Sequence, residues 1–233
     1  MKKQYRLGVI GGGFMATAIV KGIVYSDFLR AKKIIVSDPS AQAREKLSEL
    51  GVYTTANNRD VAGNCDYLLL AVKPQTFEEV AQSVKGLPVE KVITIMAGVK
   101  KEKIKKLLFG NAVKVARVMP NLPCSIGAGM SAVDLEDFSD DVDDCSFILD
   151  VFGKLGEVLT VPEEKLNAVT GISGSGPAYV YMFIDGLVKA GMNQGLTEDE
   201  AKTLAVMTVK GGAEMVAHSE DKTLGQLISA VCS

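Results

Sequence analysis

The 233 residues are 47% hydrophobic and 23% charged, which excludes a disordered chain and supplies core for one large domain or two modest ones. A formal net charge of −2 gives no overall field that favours nucleic acid or an anionic membrane. No apolar run approaches the ~18 residues of a membrane span.

The first two-thirds of the chain alternates short β-branched runs with helical patterns, as a parallel sheet covered by helices requires. Strands are expected at Leu7–Ile10, Ile34–Ser37, Tyr67–Val72, Val92–Met96, Val113–Arg117, Gly129–Val133 and Val158–Val161. Helices are expected at Ala16–Tyr25, Ala41–Leu50, Thr76–Val84, Lys101–Leu108 and Asp141–Lys154. From Pro162 onward only helical periodicity remains. Pro162 with Glu163 and Glu164 reads as a helix start, Pro177 opens a long apolar helix through Ala190, and Thr197 with Glu200 forms a capping box. The boundary is therefore expected near residue 161, between a sheet domain (1–161) and a helical domain (162–233). So small a helical domain buries little core unaided, which predicts packing against a second copy.

Several features read as structural. Lysines 100, 101, 103, 105 and 106 are expected on the solvated face of a short helix, and the acids from Asp134 to Asp144 in a solvated loop and helix start. His218, the only histidine, belongs on the surface. Tyr179, Tyr181, Met182, Met192, Met207 and Met215 read as packing residues. The four cysteines lack metal-ligand spacing and, with no secretory signal, read as reduced thiols of a cytoplasmic protein. No metal site is expected.

The chemistry begins after the first strand. Gly11-Gly12-Gly13-Phe14-Met15-Ala16 fits G-x-G-x-x-A, with a strand before it and a helix after. Gly11 permits the tight turn, Gly13 lets backbone approach a pyrophosphate, and Ala16 lets the helix sit close to the strand. The second strand ends at Asp38, 22 residues beyond Ala16. A carboxylate there accepts the adenosine ribose 2′-hydroxyl of NAD, while Ser37, Ser40 and Arg44 offer partners for the 2′-phosphate of NADP. The residues leave both cofactors open. Ala71-Val72-Lys73-Pro74 and Ile95-Met96-Ala97-Gly98 lie at later strand ends, where small alanines leave room for a flat ring.

Four further segments carry a family resemblance: Ala71–Gln75 (AVKPQ), Arg117–Pro123 (RVMPNLP), Gly171–Tyr179 (GISGSGPAY) and Leu187–Leu196 (LVKAGMNQGL). With the glycine turn, their order and spacing resemble pyrroline-5-carboxylate reductase over essentially the whole chain. The resemblance implies an α/β fold, an N-terminal Rossmann-type doubly wound sheet followed by a C-terminal all-helical dimerisation domain. It implies reduction of 1-pyrroline-5-carboxylate to L-proline by NADPH or NADH in a homodimer or larger homo-oligomer. Carried across residue by residue, the cofactor contacts are Ile10, Gly11, Gly12, Gly13, Phe14, Met15, Asn58, Ala71, Val72, Lys73, Pro74, Ile95, Met96 and Ala97, beside Asp38. Substrate contacts fall on Glu163 and Val231.

In the family, the ending seen at Val231–Ser233 continues into a Gly-Gly-Thr loop that meets the substrate. The resemblance therefore implies a chain cut short inside its helical domain, in which cofactor binding survives better than turnover. No side chain stands out as a proton donor. Two alternatives differ in class. A β-hydroxyacid dehydrogenase would carry a lysine where Val180 stands, and a non-catalytic dinucleotide-binding protein would need no substrate site at all.

Overall fold

β-Branched and leucine-rich runs settle into strands wherever both of their faces are covered. In the computed structural model, which describes residues 3–108 and 112–232, these are β1 (Tyr5–Ile10), β2 (Ile34–Ser37), β3 (Tyr53–Thr55), β4 (Cys65–Leu70), β5 (Lys91–Thr94), β6 (Lys114–Met119), β7 (Gly129–Asp134) and β8 (Gly156–Thr160). They form one sheet in the order β3-β2-β1-β4-β5-β6-β7-β8. Helices α1 (Phe14–Tyr25), α2 (Ala41–Ser48), α3 (Asn58–Ala62), α4 (Phe77–Ser83), α5 (Lys101–Leu108), α6 (Val142–Gly153) and α7 (Leu166–Val169) accompany it.

Side-chain alternation along each strand separates two cores. Leu7, Val9, Tyr67 and Leu69 meet α1 and α6 through Ile19, Ile23, Phe147 and Ile148 on one face. Ile10, Leu68 and Leu70 meet α3, α4 and α5 through Val61, Phe77, Val80 and Ile104 on the other. β1 lies between β2 and β4, parallel to both. The connections diverge on either side of it, leaving a crevice beyond its C-terminal end.

Three differences from the sequence reading have physical causes. The sheet is not wholly parallel: β7 runs antiparallel to β6, and β8 pairs parallel to β7. β3 and α3 are too short for periodicity to reveal, and Asn57 caps α3 by accepting from the Arg59 N–H. β4 and β5 stop at Leu70 and Thr94, so Ala71-Val72 and Ile95-Met96 belong to the loops beyond.

The charged residues also depart from expectation. Lys101 is buried rather than solvated, and its Nζ meets Asp134 Oδ1 at 2.6 Å and Glu136 Oε2 at 2.9 Å. Burial works against its charge, but these acids outweigh it and raise its pKa. Asp134 and Asp144 are buried as well. Lys91 Nζ donates to Asp144 Oδ1 at 2.6 Å, and the Tyr67 hydroxyl donates to the same oxygen. A buried charge persists only when paired, and a linear scan does not show the partner across the sheet.

The chain divides into two compact units, Met1–Ser175 and Gly176–Ser233. The second contains α8 (Gly176–Asn193), α9 (Glu198–Ala217) and α10 (Leu224–Val231). Capping boxes start α9 (Thr197, Glu200) and α10 (Thr223, Gln226). α8 packs on α9 where Gly191 lets Ala201 approach closely. None of the 18 residues of α8 is buried. Tyr179, Tyr181, Met182, Met192, Met207 and Met215, read as packing residues, are exposed in the single chain. His218 ends α9 at the surface, as expected.

Candidate functional site

The crevice beyond β1 is built by the glycine turn. Gly11 sits at φ +99°, and a Cβ there would stand 2.6 Å from the Ala71 carbonyl oxygen, so only glycine fits. Gly13 is the N-cap of α1 in extended backbone and has open space where a Cβ would project. α1 has no side-chain cap and no acid in its first turn, so its leading N–H groups remain free for an anion. That combination fits a pyrophosphate.

Around this turn lies a cleft of about 650 Å³. Of the expected cofactor residues it gathers Ile10, Gly11, Gly13, Asp38, Asn58, Ala71, Val72 and Lys73. Asp38 Oδ2 accepts from the Gly12 N–H at 2.7 Å and Oδ1 from the Ser40 N–H at 2.8 Å. Asn58 accepts from the Ser37 hydroxyl at 2.8 Å and donates to Ser83 Oγ at 3.0 Å, so it ties the end of β2 to the end of α4. The 2′-phosphate partners suggested by sequence also make local bonds. Ser37 is buried against Asn58, Ser40 caps α2, and Arg44 donates to the carbonyls of Asp38 and Pro39 at 2.7 and 2.9 Å.

The other expected cofactor residues do not line this cleft. Gly12 and Phe14 line a neighbouring hollow of about 460 Å³ beside Lys21 and Lys46. Met15 packs partly on the core, and Pro74 opens a 3-10 turn over Pro74–Thr76. The Met96 side chain is buried among the α4 and α5 contacts, so at this position only backbone is left for a ligand. Ile95 leans on the opposite core, while Ala97 is exposed.

The family model for pyrroline-5-carboxylate reductase dimerisation matches residues 163–233, and one described as NADP oxidoreductase, coenzyme F420-dependent, matches residues 6–98. The pyrroline-5-carboxylate reductase of Synechocystis sp. is 38% identical over 220 residues, covering 93% of this chain and 80% of the relative. That of Aquifex aeolicus is 34% identical over 232 residues, covering 98% and 84%. The chain belongs to the pyrroline-5-carboxylate reductase family. Among solved structures, a pyrroline-5-carboxylate reductase from Coxiella burnetii superposes with a TM-score of 0.88 at 32% identity, covering 99% of this chain and 86% of that one. A Plasmodium falciparum pyrroline carboxylate reductase with NADP bound gives 0.85 at 28%, covering 100% and 86%.

In this reductase-family chain the two expected substrate residues have different surroundings. Glu163 lies in a 3-10 turn (Glu163–Lys165) of the first unit, and Oε1 accepts from Arg117 Nη1 and the Lys101 N–H, both at 2.8 Å. Burial would raise its pKa, but these two donors outweigh it and hold the carboxyl below the usual range. Val231, at the end of α10 in the second unit, is 85% exposed. The sequence reading passed over Arg117 and Lys101. The available signal was a cation within the apolar strand Lys114–Met119, since buried arginine demands a partner. Among the described residues no His/Cys/Asp/Glu group is arranged to hold a metal ion.

Proposed function

We propose that this chain reduces 1-pyrroline-5-carboxylate to L-proline with NADPH or NADH. The observation that carries the reading is the uncapped, acid-free start of α1 behind Gly11–Gly13, set in a cleft bounded by Asp38 and Asn58. Residues 1–161 carry the cofactor. Residues from 162 onward supply substrate contacts and the dimer interface.

Bound NAD(P)H supplies hydride to the imine carbon. The protein's own task is to bind, orient and exclude water. Beyond the Gly11–Gly12 turn, whose own N–H groups bond Ser37 and Asp38, Gly13, Phe14 and Met15 offer backbone N–H groups to the pyrophosphate, and Asp38 and Asn58 shape the adenosine end. Ala71–Pro74 and Ile95–Ala97 present backbone and small side chains toward the nicotinamide end. An ionised Glu163 favours a protonated ring nitrogen, and a protonated imine is the better acceptor. No separate general base is required, because reduction of an iminium to an amine needs no proton transfer at the reacting carbon.

The exposed apolar face of α8 supports a homodimer built through the helical unit, and larger assemblies can grow from it. Among the described residues no helix is long and apolar enough to cross a membrane. We place the protein in the cytoplasm, with a small-molecule substrate and no nucleic-acid partner. Val180 leaves no lysine for alcohol oxidation at the start of α8, which disfavours the hydroxyacid-dehydrogenase alternative. The test is loss of NAD(P)H absorbance with 1-pyrroline-5-carboxylate. Tight cofactor binding without turnover in a full-length preparation would overturn the reading in favour of a dinucleotide-binding protein.

A further inference from the structure

Glu163 is held unusually firmly for a residue at the start of a short turn. Arg117 projects from β6, where it pairs in register with Thr94 at the end of β5. Lys101 opens α5, directly after the loop that carries Ile95–Ala97. Both donors, Arg117 Nη1 and the Lys101 N–H, converge on the single oxygen Oε1. Oε2 takes no hydrogen bond from the described residues. The Arg117 side chain is 8% exposed and that of Glu163 22%, so the anchor is dry while the carboxylate keeps access to solvent.

We infer that Arg117 is a positioning residue, fixing Glu163 so that Oε2 serves as counter-ion to the protonated ring nitrogen of the substrate. This rests on the proposed reductase reading. Two donors on one oxygen remove the rotational freedom of the carboxylate and leave its other oxygen for an entering cation. The surrounding charges act on the same group. Lys101 faces it from α5 and is itself neutralised by Asp134, Glu136 and Asp137. Glu102, Lys105 and Lys106 line the same hollow, and Glu164 and Lys165 flank it on its own turn. Among the described residues Arg117 pairs with no other acid, which makes it the cation dedicated to Glu163.

The test compares Arg117→Met, Arg117→Lys, Glu163→Gln and the Arg117→Met/Glu163→Gln double variant in the full chain. Arg117→Met is expected to lower kcat/KM for 1-pyrroline-5-carboxylate by about 10- to 100-fold while leaving NADPH affinity unchanged. Its acid limb should move to higher pH, since Glu163 then protonates more readily. Arg117→Lys should restore the limb without the full rate. In the double variant the Arg117 change should add little to Glu163→Gln. An acid limb unmoved in Arg117→Met, or fully additive losses, would overturn the proposal. If Arg117→Met does not fold, wild-type kcat/KM in Arg117→Lys overturns it. NMR titration of the Glu163 carboxyl separates this from the reductase reading. A chain inactive on the substrate defeats that reading, whereas a Glu163 titration unchanged by Arg117→Lys and Arg117→Met defeats the anchor.

Discussion

Asp38 Oδ2 accepts the Gly12 N–H at 2.7 Å, binding the middle of the glycine turn to the end of β2. Its other oxygen takes the Ser40 N–H at the start of α2, so one carboxylate fastens three elements around the cofactor cleft. Apart from the ribose contact proposed for it, Asp38 thus holds the glycine turn in shape. Hydrogen bonds to a charged group contribute about 1.5–3 kcal/mol each. Asp38→Ala should therefore raise the Kd for NADH and NADPH by about tenfold or more. Asp38→Asn keeps one acceptor and removes the charge, so it should lose less affinity and shift preference toward NADPH. Fluorescence titration with both cofactors checks this; wild-type affinities in Asp38→Ala would refute it.

Gly11 and Gly13 separate folding from binding. At Gly11 a Cβ meets the Ala71 carbonyl and the backbone has positive φ. Gly11→Ala should cost at least about 1–2 kcal/mol and lower Tm. At Gly13 the space is open and φ is −69°. Gly13→Ala should keep stability within roughly 0.5 kcal/mol, yet weaken dinucleotide binding because the methyl occupies the pyrophosphate's approach. Thermal unfolding paired with cofactor titration distinguishes them. Equal loss of stability in both variants would contradict the assignment.

What a linear reading recovers follows from how local each signal is. The glycine turn, the long strands and the capping box at Thr197 are written in adjacent residues, and all were legible. The antiparallel entry of β7 depends on a partner chosen across the sheet, so no window around residues 129–134 encodes it. Lys101 looked like one of five similar lysines. Only the arrival of Asp134 and Glu136, more than 30 residues away, distinguishes it. Arg44 and Ser37 were plausible phosphate partners by type, but their bonds to the Asp38 carbonyl and to Asn58 cannot be read from type alone. At the site, residue type was legible and local bonding was not.

Asp144 links stability to pH. Burial alone would raise its pKa, but the bonds from Lys91 and Tyr67 prevail and lower it. A group with a depressed folded pKa stabilises the protein above its unfolded value, and that contribution disappears as pH falls through the folded value. Unfolding free energy should hold at neutral pH and decline below the ordinary carboxylate range. Asp144→Asn should lose about 2 kcal/mol at neutral pH and show a flatter acid decline. Urea unfolding across that range measures both. An unchanged acid profile in Asp144→Asn would place the dependence elsewhere.

The helical unit makes the last prediction. A soluble helix ordinarily hides an apolar stripe, yet α8 leaves Tyr179, Met182 and Phe183 exposed, with Met182 at 71%. α9 and α10 add Leu204, Met207, Leu224 and Ile228. Exposed apolar area of this kind needs a partner, and a second copy presents the same face. Substituting Met182→Asp together with Ile228→Asp should turn the proposed dimer into a monomer by sedimentation analysis, because each would bury an unpaired charge in an interface built on this face. The first unit has its own two cores, so NADPH affinity should fall by less than about threefold relative to the parent chain. Turnover should fall much further, since the substrate contact proposed at Val231 lies in the helical unit that the assembly orders. A double variant that stays dimeric would show that other surfaces of the chain hold the copies together.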